Sequence, residues 1–228
     1  MIVDVIIPAL DEEAALPLVL RAIPKDLVRQ VVVADNGSRD RTAVVAEEEG
    51  ARVVHEAERG YGAACLRALA LLQDDPPDVV VFLDGDNSDD PSELASLLAP
   101  LHSGADLVIG SRVRGELEPG ALTLPQRVGN AIACGGLRLL YGARYTDLGP
   151  FRAIRWSALE ALRMKDRNWG WTVEMQIRAA QEDLRHVEVP VSYRVRREGV
   201  SKVSGSIIGS FHAGRKILWL LARHRLSS

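Results

Sequence analysis

Val79-Val80-Val81-Phe82-Leu83-Asp84-Gly85-Asp86 is the stretch from which the rest of the chain can be read. The apolar run Val79–Leu83 has the character of a buried strand. It ends in two carboxylates one residue apart, at the point where a parallel sheet opens its ligand crevice. Hard oxygen ligands in that position suit Mg²⁺ or Mn²⁺ bridging a diphosphate. Taken alone, the pattern also describes an ordinary turn, because Asp and Gly are frequent turn residues after strands. The neighbouring elements and loops decide between the two.

Outward from this stretch the chain alternates strand and helix. Val3–Ile7, Gln30–Ala34, Ala51–His55 and Asp106–Ile109 share the short, β-branched character of Val79–Leu83 and are bounded by turn residues. Ala14–Ile23, Arg41–Glu49, Gly62–Leu72 and Pro91–Leu98 carry helical spacing. Ser38 and Asp40 precede one of these helices, and Asp90-Pro91-Ser92-Glu93 puts proline in the first turn of another. Repeated β-α-β units predict right-handed crossovers and a mainly parallel sheet covered on both faces. After Gly110 the rhythm loosens: Gln126–Tyr141 and Trp171–Gln181 read as helices, Leu148–Ile154 and His186–Val191 as strands, and Ile207–Leu221 as a last helix.

Composition limits the function classes. The 228 residues fit one large domain. With 28 Lys and Arg against 31 Asp and Glu, the net charge of −3 gives no reason to expect a nucleic-acid-coating protein. No run of eighteen apolar residues predicts a spanning helix, and the first residues lack the basic region of a secretory signal. Cys65 and Cys134 have no metal-ligand spacing and read as reduced structural thiols in a cytoplasmic protein. The five histidines form no ligand pattern.

Three further loops fall at strand ends beside Asp84 and Asp86. Pro8-Ala9-Leu10-Asp11-Glu12-Glu13 follows the first strand, and its acids also favour the next helix N-terminus. Asp35-Asn36-Gly37-Ser38 follows the second; Asp35 either accepts hydrogen bonds from a base or ribose or caps a turn. Arg59-Gly60-Tyr61-Gly62-Ala63-Ala64 follows the third, with small residues that let a helix N-terminus approach a phosphate or sugar.

The ordered set IPALDEE, ADNGSRDRT, RGYGAA, FLDGD, GSR, TDLGPFRAIR and RREGVSK resembles glycosyltransferase family 2, in its dolichyl- or polyprenyl-phosphate mannose and glucose synthase branch. The likeness spans roughly residues 3–203. It implies the GT-A fold, an α/β architecture with a Rossmann-like central sheet, in a single domain. Residues 1–110 would form the nucleotide-sugar half, 111–203 the acceptor half and 204–228 an amphipathic helix. It also implies a UDP- or GDP-hexose donor, Mg²⁺ or Mn²⁺, and transfer with inversion.

By the same resemblance, Pro8, Leu10, Glu12, Asp35 and Gly62 flank the donor, and Asp84 and Asp86 hold the metal. Ser88 stands where that branch often has Gln, leaving the third protein ligand open. Arg196 and Lys202 correspond to a basic loop over the donor diphosphate. Arg112 and Arg127 correspond to positions near an acceptor phosphate, the alternative being surface salt bridges or solvated helix faces. Asp147 corresponds to a carboxylate near the reacting centre, either acceptor orienter or base, unless it caps a turn. Glu174 either orients sugar hydroxyls or pairs with Arg152. Trp169 and Trp171 either stack on a sugar face or pack in the core.

The expected reaction is hexose transfer to a phosphate-bearing acceptor, polyprenyl phosphate first. A soluble small-molecule or sugar acceptor is the alternative. A nucleotidyltransferase fits less well, because the loop after the first strand is acidic, and a non-catalytic nucleotide-sugar sensor would not need Arg127 or Asp147. The C-terminal helix has Ile207, Phe211, Leu218 and Leu221 on one face. That face suits a membrane interface on the cytoplasmic side, the domain's own core or a homodimer.

Overall fold

The computed structural model describes residues 1–196; Lys202 and the helix expected over Ile207–Leu221 lie outside the described residues. Seven strands form one sheet: β1 (Val3–Ala9), β2 (Gln30–Asp35), β3 (Arg52–His55), β4 (Val79–Phe82), β5 (Leu107–Ser111), β6 (Arg152–Arg155) and β7 (His186–Pro190), in the order β3-β2-β1-β4-β6-β5-β7. The pairings β1–β2, β2–β3, β1–β4 and β5–β7 are parallel, whereas β6 runs antiparallel to both β4 and β5. The mainly parallel expectation holds, with one reversed strand in the middle.

The two-residue alternation of each strand divides its side chains between two cores. Val5, Ile7, Val33, Val79 and Val81 face α1 (Leu16–Ala22), α2 (Thr42–Glu48) and α4 (Leu94–His102). Ile6, Val32, Val80, Phe82 and Ile154 face α3 (Tyr61–Leu72), α5 (Leu124–Tyr141), α6 (Trp156–Leu162) and α7 (Trp171–Gln181). Both sets are almost wholly buried, which is why these strands read as continuous apolar runs rather than as alternating ones. Phe82 meets Trp171 edge-on, with ring centroids 5.8 Å apart, so Trp171 is a core residue.

Three local readings need correction. Trp156–Leu162 is a helix that the sequence reading did not contain; it begins directly after β6 and has no side-chain cap. The strand expected over Leu148–Ile154 starts only at Arg152, because Gly149-Pro150 breaks the ladder and the buried Arg152 guanidinium draws in the carbonyls of Leu148, Gly149 and Thr172. α5 starts two residues before the expected Gln126: Thr123 and Gln126 form a reciprocal capping box, and Gly142 ends the helix in the left-handed conformation.

β2 lies on one side of β1 and β4 on the other, which makes the carboxyl ends of β1 and β4 a topological switch point. β5 and β7 end on the same rim, and the antiparallel β6 begins there. Loops from the whole sheet therefore converge above one edge.

Candidate active site

A cavity of about 540 Å³ opens at that rim. Pro8, Leu10 and Glu12 line it after β1, Asp84 and Asp86 after β4, Arg112 after β5, and Tyr193 and Arg196 beyond β7. Seven of the expected site residues thus come together in space: Pro8, Leu10, Glu12, Asp84, Asp86, Arg112 and Arg196.

The acidic pair is asymmetric. Asp84 Oδ1 accepts from the Tyr61 hydroxyl at 3.0 Å. Burial, followed by the charge of Asp86, pushes the Asp84 carboxyl up to about 7. Asp86 Oδ1 accepts the Ser88 N–H at 3.0 Å across Asn87, whose left-handed backbone turns the loop. Asp86 Oδ2 accepts from Arg196 Nε at 3.1 Å, and the same guanidinium donates through Nη2 to Glu12 Oε1 at 2.7 Å. Burial works against the charge on Arg196, but Asp86 and Glu12 outweigh it and raise its pKa. Asp89 is a third acid close by, 1% exposed with neither carboxylate oxygen hydrogen-bonded. Burial first, then the charge of Asp84, holds its pKa well above the carboxylate range.

This donor set fits a divalent ion. Burial, with the charge of Asp86 added to it, holds the Asp84 carboxyl up at about 7, a strain that a cation relieves. Among the described residues no three His, Cys, Asp or Glu side chains gather as a metal cage. Two protein ligands with substrate or water oxygens suit Mg²⁺ or Mn²⁺ better than zinc. Ser88 is buried and does not line the cavity.

Arg112 is held by Asp147. The Asp147 carboxylate is fully buried and accepts from Arg112 Nη2 at 2.7 Å, Arg112 Nε at 2.8 Å, and the backbone N–H groups of Arg112 and Leu148 at 2.8 Å each. With four donors in place it is an anchored anion that does not line the cavity. The Arg112 guanidinium also lies over the Tyr193 ring, 4.9 Å from its centroid.

Four more expected site residues stand outside the cavity lining. Asp35 ends β2, but its carboxylate accepts the Ser38 N–H at 3.1 Å and faces His55 Nδ1 at 3.1 Å, the turn alternative weighed above. Its neighbour Asn36 lines the cavity instead and ties Glu56, Glu58 and Gly60 together. Gly62 is a packing residue: a Cβ there would meet the Asp166 carbonyl oxygen at 1.9 Å. Glu174 is buried and accepts from the N–H groups of Lys165 and Asp166 and from Arg178 Nε, so it braces a loop and pairs with Arg178 rather than Arg152. Arg127 sits on the exposed side of α5, while Gln126 from the same turn reaches the cavity.

Tyr61, Asn36, Gln126, Tyr193 and Asp89 were not singled out from sequence. Tyr61 had a signal, an aromatic between two glycines at a strand end. Tyr193 had none, because its place depends on backbone bridges to Asp89 and Leu117, far away in the chain. Trp169 is 41% exposed at the cavity wall, the only one of the expected pair with a free ring surface.

Residues 4–163 match the family model described as glycosyl transferase family 2. An uncharacterised glycosyltransferase of Mycobacterium tuberculosis is 42% identical over 213 residues, covering 92% of this chain and 94% of the relative. A dolichyl-phosphate hexose transferase of Haloferax volcanii is 33% identical over 226 residues, covering 97% and 95%. Among solved structures, glucosyl-3-phosphoglycerate synthase of M. tuberculosis, in complex with phosphoglyceric acid, matches with a TM-score of 0.78 at 25% identity, over 98% of this chain and 79% of that one. The architecture is the GT-A fold expected from the sequence. Fold, rim cavity and family match agree: the chain belongs to glycosyl transferase family 2 and is a glycosyltransferase.

Proposed function

We propose that the protein transfers a hexose from a nucleoside-diphosphate sugar to a phosphate-bearing acceptor, with polyprenyl phosphate as the first candidate. The observation that carries this reading is an anchored cation beside the acids of one cavity. Glu12, Asp84 and Asp86 line it together with Arg112, which Asp147 holds in place, and Arg196 bridges Glu12 and Asp86. A divalent ion held by Asp84 and Asp86 supplies charge stabilisation to the departing diphosphate.

The remaining roles belong to the chain's own side chains. Tyr61 donates to Asp84 and fixes its orientation. Arg196, already poised at Asp86, is placed to donate to diphosphate oxygens, with Lys202 proposed as its partner in sequence. Leu10 and Pro8 offer an apolar wall for the nucleotide, and Trp169 a face for the hexose. Arg112 offers the charge that an incoming phosphate needs, and Asp147 holds the guanidinium fork in register as a positioning residue. Among the described residues the only carboxylates lining the cavity are Glu12, Asp84 and Asp86, all committed elsewhere. A hydroxyl acceptor needs a base that this wall does not offer, whereas an ionised phosphate oxygen attacks without one.

A soluble phosphorylated acceptor is the second reading, favoured by the likeness to a synthase crystallised with phosphoglyceric acid. The polyprenyl reading draws on the dolichyl-phosphate relative, which covers nearly the whole chain. The test offers UDP- and GDP-hexoses with Mn²⁺ and either a short prenyl phosphate or phosphoglyceric acid, and identifies the product. Product from prenyl phosphate alone supports the first reading, and product from phosphoglyceric acid alone replaces it with the second. Asp147→Asn separates positioning from base catalysis. The expected result is an acceptor KM raised about tenfold with kcat nearly kept, whereas loss of a base lowers kcat by about 10²–10⁴.

A further inference from the structure

We propose that the outer face of α5 is a docking surface for an anionic lipid bilayer, and that it brings the cavity mouth to the membrane. α5 has two faces of opposite character. Ala133, Cys134 and Leu137 turn inward, and Gln126 reaches the cavity. Leu124, Val128, Ile132 and Leu139 turn outward and are 73%, 49%, 51% and 84% exposed. Spacings of four, four and seven residues align these four side chains in one stripe, roughly 22 Å long at the rise of an α-helix. Leu124, Val128 and Ile132 are neighbours one turn apart, and Leu139 lies two turns further along the same side beyond Gly135, an exposed apolar row that a soluble surface seldom leaves uncovered. Val113, 56% exposed, adds a further apolar side chain on the segment after β5 that carries Arg112.

Charge selects the occupant. The chain as a whole carries −3, yet the eighteen residues of α5 contain no Asp or Glu. Their two charged residues, Arg127 and Arg138, are both exposed and lie along the same outward side. Arg144 is exposed three residues beyond α5, and Arg114 is exposed on the segment before it, which also carries Glu116 and Glu118. An apolar stripe edged by guanidinium groups matches an acyl boundary beneath anionic headgroups. No described helix is long and apolar enough to cross a membrane, so attachment through α5 is in-plane. A second copy of the chain would have to pair this positive edge with itself, which like charge opposes.

The inference deepens the polyprenyl reading without requiring it, because the bilayer and the acceptor are tested apart. Full-length protein is sedimented with phosphatidylcholine vesicles and with vesicles containing one-third phosphatidylglycerol, neither holding any prenyl phosphate. The expected result is at least about tenfold stronger binding to the anionic vesicles, weakening with salt. Val128→Ser/Ile132→Ser is expected to lose about tenfold of that binding, with unchanged melting temperature and unchanged transfer to a short, water-soluble acceptor. Leu139→Ser, at the far end of the stripe, gives a second measurement should the double variant fold poorly. Wild-type protein that ignores anionic vesicles overturns the proposal. So do folded variants that bind as wild type does, which would place attachment elsewhere in the chain. A concentration-dependent dimer that the same substitutions dissolve also overturns it, by making a second copy the occupant. Failure of transfer to prenyl phosphate with vesicle binding intact would count against the acceptor reading alone.

Discussion

Asp84 and Asp89 are acids that the native fold keeps protonated more readily than the unfolded chain does. A carboxyl whose folded pKa lies above its unfolded value near 4 binds its proton more tightly in the native state. Its contribution to stability is complete below about pH 4 and is lost as pH rises through the folded value, about 7 for Asp84. Chelator-treated protein should therefore melt lower at pH 8 than at pH 5.5, and Asp89→Asn should narrow that gap. A melting temperature that rises over this window, with no effect of Asp89→Asn, contradicts the assignment. Arg196 makes a second residue-level prediction. Its guanidinium neutralises Asp86 in the same place where a cation would. Arg196→Ala is expected to bind Mn²⁺ alone a few-fold more tightly and the nucleotide sugar more weakly, because one competitor and one diphosphate donor are removed together. Titration calorimetry reads both, and unchanged Mn²⁺ affinity would remove the competition.

The interlock of α3 with the loop before α7 shows how elements set the site. Gly62 and Ala63 donate to the carbonyls of Asn168 and Arg167, and Glu174 holds the other end of that loop through Lys165 and Asp166. Trp169 rides on this loop at the cavity wall. Gly62→Ala forces backbone apart and is expected to cost about 3 kcal/mol in denaturant unfolding. A stable variant with a raised donor KM would restore Gly62 to the donor-contacting role first expected of it. The sequence disclosed this region only in part. Val79–Phe82 and its parallel neighbours were legible because buried β-branched runs leave few alternatives. Asp84, Asp86 and Glu12 were legible because strand ends locate them. The Arg112–Asp147 fork, the Glu174 brace and the Gly62 contact were not, since each partner is set by tertiary packing rather than by local pattern. The α6 helix, seven residues long and uncapped, offers too little periodicity to separate it from β6.

At the scale of the molecule, every residue assigned to chemistry stands on one rim of the sheet. The opposite rim carries a different set of groups: Asp4 paired with Arg29, Arg155 at the end of the reversed β6 donating to the Ala105 and Leu101 carbonyls, and the turns that lead into β2, β3, β4 and β5. None of these lines the cavity. Gly50, in the turn before β3, has a positive φ of 82° and open space around it. A flexible peptide inserted after Gly50 should leave kcat and donor KM within about twofold of the parent, because surface turns far from a site tolerate added length. A large loss of turnover would mean that the two rims communicate. The practical yield is an attachment point. A fluorophore or surface tether fixed there would hold the enzyme by its back, leaving its working side turned toward whatever carries the sugar away.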